Sequence, residues 1–273
     1  MESSYHESVM VKEVLESLHV NKGSLYIDAT LGTGGHALEI IKAGGKIFGI
    51  EADPEILEIA KKRVAGGNFV LGNFTDIDKI ARENDFGKVS GVLFDLGVTN
   101  IHLTTGTRGF SFGSPNNDLD MRLNAKDQGV MGADLLNALR EDQLIDLFRV
   151  TLDGGSAKWM TKRVLEARPV RTVADFLAIC RGLRGKPGLN EATLPFLALR
   201  VAVNSELDIL ETALPKAYEL LEPRGKLVVI SFHSGEDRIV KNFGDSRLIL
   251  PSAGEIAKNP RARSAKMRVF EKT

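Results

Sequence analysis

The residues best suited to chemistry lie in a glycine-rich turn that follows a short apolar run. The stretch 26–37 reads YIDATLGTGGHA, and its polar and glycine positions are Asp28, Gly32, Gly34, Gly35 and His36. Glycines allow backbone angles that a side chain forbids, and they let main-chain N–H groups approach a ligand closely. A helix is predicted over 36–43, and its positive N-terminal end would face the same ligand. The pattern predicts a strand, a ligand-binding turn and a helix.

The second predicted strand, residues 46–51 (KIFGIE), also ends on an acid, Glu51. A carboxylate at this position can accept hydrogen bonds from both hydroxyls of a ribose. The following helix has Asp53 as its N-cap and Pro54 at its first position. Together, the glycine turn and Glu51 predict a site for an adenosine-containing cofactor.

Two kinds of cofactor fit this pattern. Gly32, Gly34 and Ala37 satisfy the G-x-G-x-x-A form of the nicotinamide dinucleotide fingerprint, with Glu51 near the expected acidic position. Asp28 favours another ligand, because an acid beside the turn suits a cationic molecule better than a pyrophosphate. S-adenosylmethionine carries a sulfonium and an amino group and no phosphate. We therefore expect S-adenosylmethionine, and an NAD-dependent oxidoreductase stays an alternative that rests on the glycine pattern alone.

Composition limits the other possibilities. The chain has 273 residues and equal numbers of acidic and basic side chains, so attraction to nucleic acid must come from local patches. Cys180 is the only cysteine, which excludes an intrachain disulfide and a cysteine-rich metal site. His36 and His233 have no partner at metal-ligand spacing, so no metal site is predicted. Without a long apolar stretch or a signal-peptide pattern, the chain is expected to be cytoplasmic and not bound to membranes.

Strand and helix patterns alternate at first, stop, and then return. Strands are predicted over 25–28, 47–51, 69–71, 89–96, 226–231 and 265–270. Helices are predicted between the early strands and over 134–148, 157–167, 173–180 and 205–221. This order indicates an α/β fold with a doubly wound, mostly parallel sheet that is interrupted by a helical domain. We expect a core of residues 1–103 and 200–273, with a helical insert over 104–199.

Three further motifs are more polar than a protein core requires. The first, DLGV over 95–98, lies at the carboxyl end of the fourth strand, where open α/β sheets bind ligands. The second combines RGFSF over 108–112 with DLDMR over 118–122. The third, SFHSGEDR over 231–238, directly follows the fifth predicted strand. For each motif, the alternative is a solvated, well-capped surface loop. This alternative explains the third motif least well.

These segments resemble the ribosomal RNA small-subunit methyltransferase H family (the MraW group), which methylates N4 of a cytosine in the decoding region of 16S rRNA. Matches occur in family order along nearly the whole chain: HESVMVKEVL, YIDATLGTGGHA, GIEADPE, GVLFDLGV, RGFSF, DLDMR, ALRVAVNSEL, VISFHSGEDRIVK and NPRARSA. The resemblance implies a Rossmann-like class I methyltransferase core with an inserted substrate-recognition domain. It also implies 16S rRNA, in the small ribosomal subunit or its precursor, as the partner.

The resemblance places cofactor contacts at Gly34, Gly35, His36, Glu51, Phe74, Asp95 and His102, to which the local pattern adds Asp28 and Gly32. Some positions depart from the family. Glu51 stands in place of an aspartate, and His102 in place of a glutamine. The segment LNEATLPFLALR over 189–200 lacks a His, an Arg and a Gln that the family carries. These changes support a second hypothesis, a catalytically impaired cofactor- or RNA-binding factor in ribosome assembly.

Methylation of a cytosine amine needs precise positioning and an acceptor for the amine hydrogens, because the nitrogen lone pair is delocalised into the ring. Asp95 is the first candidate by its place after the fourth strand, Asp120 the second and Asp118 the third. Aromatic and polar side chains are predicted to contact RNA: Arg108, Phe110, Phe112, Arg122, His233, Arg238, Asn259, Arg261 and Arg263. Lys258, Lys266 and Arg268 extend the last group into a basic loop that leads to a predicted edge strand.

Overall fold

The structure is a computed structural model that describes residues 8–99, 101–102, 108–184 and 188–273. The chain divides into two compact units, Met1–Thr99 with Leu207–Thr273, and Asn100–Glu206. The predicted boundary at residue 104 lies outside the described residues, and the substrate-recognition role of the insert stays a prediction. Among the helices that the structure describes, none combines the length and the apolar character needed to cross a membrane.

The first unit is built on a seven-stranded sheet with the order β3-β2-β1-β4-β5-β7-β6. The strands are β1 Leu25–Asp28, β2 Lys46–Glu51, β3 Asn68–Leu71, β4 Val89–Asp95, β5 Leu221–Ser231, β6 Arg247–Ile249 and β7 Lys266–Glu271. Strands β1 to β5 are parallel, whereas β7 runs antiparallel to both β5 and β6. The predicted mostly parallel α/β sheet is confirmed. The predicted edge position of the last strand is wrong, because β6 pairs with its outer side.

Helices cover the chain between and beyond these strands. They are α1 Val11–Leu18, α2 Gly35–Lys42, α3 Pro54–Arg63, α4 Ile77–Glu83, α5 Gly132–Ala138, α6 Glu141–Arg149, α7 Gly154–Ala167, α8 Val173–Cys180, α9 Thr193–Val203, α10 Glu206–Leu220, α11 Ser234–Phe243 and α12 Ala253–Lys258. Short 3-10 helices span Phe74–Asp76 and Pro260–Ser264. Helices α5 to α9 belong to the second unit.

Neighbouring residues of each central strand are buried on opposite faces of the sheet. Ile27 and Phe94 belong to one apolar cluster, whereas Tyr26 and Leu93 belong to the other. A strand that is apolar on both faces is typical of a parallel sheet covered by helices on each side. The chain places β2 and β3 on one side of β1 and β4 on the other, so the strand order reverses between β1 and β4. Ligands of open α/β sheets bind at such a switch point, beyond the carboxyl ends of the strands.

The single helix predicted over 134–148 is wrong, because this stretch forms α5 and α6. Leu139 and Arg140 have extended backbone angles between the two helices. The Arg168 guanidinium donates to the Leu136 carbonyl at 2.7 Å and to the Leu139 carbonyl at 2.5 Å, and so caps the end of α5. The Arg140 N–H donates to Gln143 Oε1 at 3.1 Å at the start of α6. The apolar periodicity continues through the break and therefore concealed it.

Candidate functional site

The glycine-rich turn is held in a compact, close-fitting conformation. Gly34 has a φ of 80°, in the left-handed region that favours glycine. A Cβ added to Gly35 would lie 2.0 Å from Ser8 Oγ, so a side chain there would require Ser8 to move. The Arg63 guanidinium donates to the Thr33 carbonyl at 3.2 Å and to Thr33 Oγ1 at 2.9 Å. The turn is therefore a shaped backbone cradle, anchored from α3.

Glu51 lies at the carboxyl end of β2 and helps to order this turn. Its side chain is buried and accepts the Gly32 N–H on Oε2 at 2.8 Å and the Asp53 N–H on Oε1 at 2.9 Å. Burial raises the pKa of Glu51 to about 7, although these hydrogen bonds oppose the shift. Each carboxylate oxygen has a second lone pair, so Glu51 can accept a ribose hydroxyl as well.

Asp28, His36 and Asp95 form a polar cluster at the switch point between β1 and β4. Thr30 connects the two acids: its N–H donates to Asp28 Oδ1 at 3.2 Å, and its Oγ1 accepts the Asp95 N–H at 2.6 Å. His36 Nε2 lies 3.4 Å from Asp95 Oδ2. Asp28 and His36 are buried, whereas the Asp95 side chain is 25% exposed. Asp95 is therefore the member of the cluster that a substrate can reach.

Burial and the neighbouring charges shift the pKa values of Asp28 and His36. Burial raises the pKa of Asp28 to about 6, and the nearby His36 opposes this shift. Burial also disfavours the charged form of His36, but the Asp95, Asp28 and Glu255 carboxylates outweigh it and raise the pKa of the imidazole. The cluster can thus exchange protons near neutral pH.

These residues fit S-adenosylmethionine. Both ring nitrogens of His36 and Oδ1 of Asp95 are buried and have no hydrogen-bond partner among the described residues. Buried polar atoms normally have such partners, so these atoms suit a ligand that brings its own. The carboxylates of Asp28 and Asp95 would attract the amino and sulfonium charges.

The raised pKa values predict a pH dependence of stability. A carboxyl group with a raised folded pKa binds protons more tightly in the folded state, so it stabilises the fold at low pH. We expect the free energy of unfolding of the unliganded protein to fall as the pH rises through about 6 for Asp28 and about 7 for Glu51. Denaturant titrations across this pH range will measure the free energy of unfolding. Asp28→Asn and Glu51→Gln should flatten the profile, and an unchanged slope in both would contradict the assignment.

The remaining predicted cofactor contacts lie in different units. Phe74 follows β3 in the first unit, where its half-buried ring meets Phe94 edge-on with centroids 5.4 Å apart. His102 belongs to the second unit, where it is buried with its ring centroid 5.1 Å from that of Phe110. Phe74 therefore presents an aromatic surface in the same unit as the glycine turn, and the cofactor roles of both residues stay predictions.

Asp120 and Arg122 are paired with each other in the second unit. The Arg122 guanidinium donates to Asp120 Oδ1 at 2.6 Å and to Oδ2 at 3.0 Å, a two-point ion pair. It also donates to the Gln128 carbonyl at 2.8 Å. Both groups therefore have partners that shape their own loop, which makes Asp120 a weaker base candidate than Asp95. Asp118 is exposed.

The neighbouring RGFSF loop is held against the same segment. The Arg108 guanidinium donates to the carbonyl of Leu123 at 2.7 Å. Phe110 is buried, whereas Phe112 is half-buried and meets Phe196 edge-on at 4.7 Å. Phe112 thus offers more surface for stacking on a base than Phe110 does. RNA contact by these residues stays a prediction.

Asn204 was not predicted as a functional residue, although it lies in the family segment ALRVAVNSEL. This buried amide donates to the Met121 carbonyl at 2.9 Å and accepts the Leu123 N–H at 3.1 Å. Met121 has a φ of 64°, an unusual angle for a residue with a side chain. Asn204 therefore positions the DLDMR loop.

The polar motif after β5 chiefly begins a helix. His233 is the N-cap of α11, and its Nδ1 accepts the Gly235 N–H at 3.2 Å. Glu236 accepts the N–H groups of Phe232 at 2.7 Å and His233 at 3.2 Å, which completes a reciprocal cap. Capping thus explains more of this motif than its sequence indicated. Arg238, by contrast, is exposed on the same helix.

The C-terminal basic residues differ in their surroundings. The Asp237 carboxylate accepts hydrogen bonds from Lys266 Nζ at 2.7 Å and from Arg268 Nε at 2.8 Å, so these two cations are paired within the protein. These partners lower the pKa of Asp237 despite its partial burial, which acts in the opposite direction. Arg261 is half-buried and Arg263 is exposed. Asn259 is buried, and its N–H donates to the Glu255 carbonyl at 2.7 Å before the 3-10 helix begins.

Three residues that support the site were missed from the sequence: Thr30, Arg63 and Glu255. Thr30 lies inside the glycine motif and has a local signal, because a hydroxyl two residues after Asp28 can bridge neighbouring strands. Arg63 donates a hydrogen bond to Thr33, which is 30 residues away in the sequence. Glu255 accepts the N–H of Met10, which is 245 residues away. No local pattern indicates either contact.

Comparisons with known proteins identify the family of the chain. A sequence model of the MraW methylase family matches residues 3–247. The chain is 40% identical to the ribosomal RNA small subunit methyltransferase H of Dictyoglomus thermophilum, over 98% of this chain and 97% of the relative. It is 34% identical to the protein of the same name from Bacteroides fragilis, over 99% and 98%. A crystal structure of an rRNA methylase from Streptococcus thermophilus aligns with 12% identity and a TM-score of 0.44, covering 96% and 93%.

Proposed function

The chain belongs to the MraW methylase family, and from this premise we propose that it methylates N4 of a cytosine in the decoding region of 16S rRNA. It is an S-adenosylmethionine-dependent methyltransferase that acts on rRNA, whereas the base, the atom and the region are our proposal. The nicotinamide alternative loses its support, because it depended on the glycine turn alone. That turn also occurs in a methyltransferase core.

The observation that carries the proposal is the position of the Asp95 carboxylate. It lies at the carboxyl end of β4, beside the glycine turn, and is partly exposed. Its Oδ1 atom is buried and has no hydrogen-bond partner among the described residues, so the carboxylate has unused capacity to accept an N–H from a substrate that reaches the exposed part of the side chain. An exocyclic amine is a substrate group that offers hydrogens to such an acceptor.

The residues of the first unit divide the chemistry between them. When bound, S-adenosylmethionine would supply an electrophilic methyl group at this site. Glu51 and the glycine turn would hold its adenosine end, and Asp28 would hold its amino group. Asp95 accepts a hydrogen bond from the cytosine amine, which favours a localised lone pair on N4. As the new N–C bond forms, N4 loses a proton, and Asp95 is the acceptor at that point.

His36 is the buried neighbour of the Asp95 carboxylate. Its Nε2 atom lies 3.4 Å from Asp95 Oδ2, so the ring can orient the carboxylate. Burial of His36 excludes water from this side of Asp95, so the substrate amine competes with few other donors there.

RNA binding is assigned to exposed cations of the first unit. Arg238 on α11, Arg263 on the 3-10 helix and Lys258 at the end of α12 are exposed, and none donates a hydrogen bond to another described residue. Cations of this kind contact phosphates without reading sequence. Sequence selection would then come from loops that meet the base, such as the one carrying Phe112.

We expect the protein to transfer labelled methyl groups from S-adenosylmethionine to small ribosomal subunits that lack the modification. Nuclease digestion and mass spectrometry of the product should yield N4-methylcytidine within a decoding-region fragment. Subunits that already carry the modification are the control, and they should accept no label. Label on another base or in another region would overturn the specificity that we propose. Cofactor and RNA binding without transfer would favour a non-catalytic assembly factor.

A further inference from the structure

Arg261 lies on a rigid platform next to the methyl-transfer cluster. The 3-10 helix Pro260–Ser264 connects α12 to β7, and the flanking Ala262 and Ala265 are buried in the core beside Met10 and Met267. The Glu255 carboxylate accepts the Met10 N–H, which ties α12 to the N-terminal segment. The backbone of Arg261 is therefore held in place by packing on either side of it.

The surroundings of Arg261 are those of a binding-site residue more than of a surface cation. The side chain is half-buried, and its guanidinium donates no hydrogen bond to any residue that the structure describes. The 3-10 helix leads into β7, whose first residue Lys266 pairs with Ser231, and the preceding residue Ile230 pairs with Asp95, so this segment lies at the carboxyl ends of β4 and β5. Burial lowers the pKa of Arg261, whereas the charge of Asp95 raises it. A guanidinium has five N–H donors, and burying them without acceptors is costly. An acceptor brought by a ligand would remove this cost.

Arg263, two positions later, has a different environment. It is exposed, whereas Arg261 is half-buried. The two arginines were grouped by sequence as RNA contacts, but the structure separates them by burial. Arg263 keeps the character of a phosphate contact.

The charges of the cluster indicate which ligand group Arg261 meets. Asp28 and Asp95 supply negative charge, which suits the amino and sulfonium groups of S-adenosylmethionine. The cofactor also carries one anionic group, the carboxylate of its methionine end, and this group needs a cation. Arg63 is engaged with Thr33, whereas Arg261 has no such partner among the described residues. Arginine forms strong two-point hydrogen bonds with carboxylates.

We propose that Arg261 binds the carboxylate of the methionine end of S-adenosylmethionine and is thus a cofactor-binding residue of the methyl-transfer site. This assignment depends on the cofactor and not on which RNA base is methylated. An RNA phosphate is the competing anion, and the experiment below distinguishes the two.

Arg261→Ala and the matched control Arg263→Ala are titrated by calorimetry with S-adenosylmethionine and with decarboxylated S-adenosylmethionine. The two probes share the sulfonium and amino groups and differ in the carboxylate. We expect Arg261→Ala to weaken S-adenosylmethionine binding about tenfold or more while leaving the decarboxylated probe unaffected. Arg261→Lys should keep part of the affinity, because it retains the charge without the planar fork. Arg263→Ala should bind both probes like the wild type.

Three results would overturn the proposal. If Arg261→Ala weakened the binding of both probes equally, Arg261 would act by supporting Asp95 and not by binding the carboxylate of the cofactor. Unchanged binding of both probes would remove Arg261 from the cofactor site. A loss confined to RNA binding, smaller at higher salt and equal to that of Arg263→Ala, would return Arg261 to the phosphate contacts. Thermal unfolding of each variant establishes that the protein is folded.

Discussion

Asp95→Ala should reduce the rate of methyl transfer by about a hundredfold or more while the protein stays folded. General-base groups contribute about a hundredfold to ten-thousandfold, and Asp95 is the proposed acceptor for the N4 proton. The fold should survive because the Asp95 side chain is 25% exposed. In addition, the bond that connects β4 to Thr30 comes from the Asp95 backbone N–H, which the substitution retains.

Single-turnover transfer to small subunits at saturating cofactor will measure this effect. Saturation removes any change in cofactor affinity from the comparison, so the rate reports the chemical step. Asp245→Ala is the matched control, because Asp245 is an exposed aspartate of the same unit, and it should react at the normal rate. Asp95→Asn tests the charge alone. Near-normal turnover by Asp95→Ala would exclude Asp95 as the base and would pass the role to Asp120, the second predicted carboxylate.

Glu51→Ala should weaken S-adenosylmethionine binding by about 1.5–3 kcal/mol, which is the range for hydrogen bonds to charged groups. The structure divides this loss between two causes. Glu51 is the proposed acceptor for the ribose hydroxyls, and it also accepts the Gly32 N–H at 2.8 Å and so orders the turn. Calorimetry with the cofactor measures the total.

An analogue that lacks both ribose hydroxyls separates the two causes. Wild-type protein should lose affinity for this analogue, whereas Glu51→Ala should bind it and the cofactor with similar affinity. Glu51→Gln keeps one acceptor oxygen and should have an intermediate effect. If Glu51→Ala weakened the analogue as much as the cofactor, the ribose assignment would be wrong and Glu51 would act only through the turn.

Local patterns were sufficient to predict most of the first unit. Asp53 and Pro54 mark the start of α3 because each acts on adjacent backbone groups, and Asp53 Oδ1 indeed accepts the Glu55 N–H at 2.8 Å. Apolar runs of strand length predicted β1 and β4 to within one residue at their ends. The gathering of Asp28, Glu51 and Asp95 followed as well, because parallel strands present their carboxyl ends at the same edge of a sheet.

Local patterns failed where a distant residue decides the outcome. The apolar period of α5 continues into α6, and Arg168 ends α5 from a position far along the chain. The edge position predicted for β7 was wrong because the short strand β6 pairs beside it. The FHSGEDR motif indicated ligand binding, but His233 and Glu236 satisfy the backbone groups that begin α11.

By itself, then, the sequence determined the glycine-rich turn, the acids at the strand ends and the α/β order of the core. These depend on residue types, on neighbours within a few positions and on the geometry of parallel strands. Only the tertiary structure decided that Arg261 is half-buried while Arg263 is exposed, and that Glu255 secures the segment at Met10. The reason is physical: burial and electrostatic environment depend on which distant segments pack together, and residue spacing carries no record of that packing.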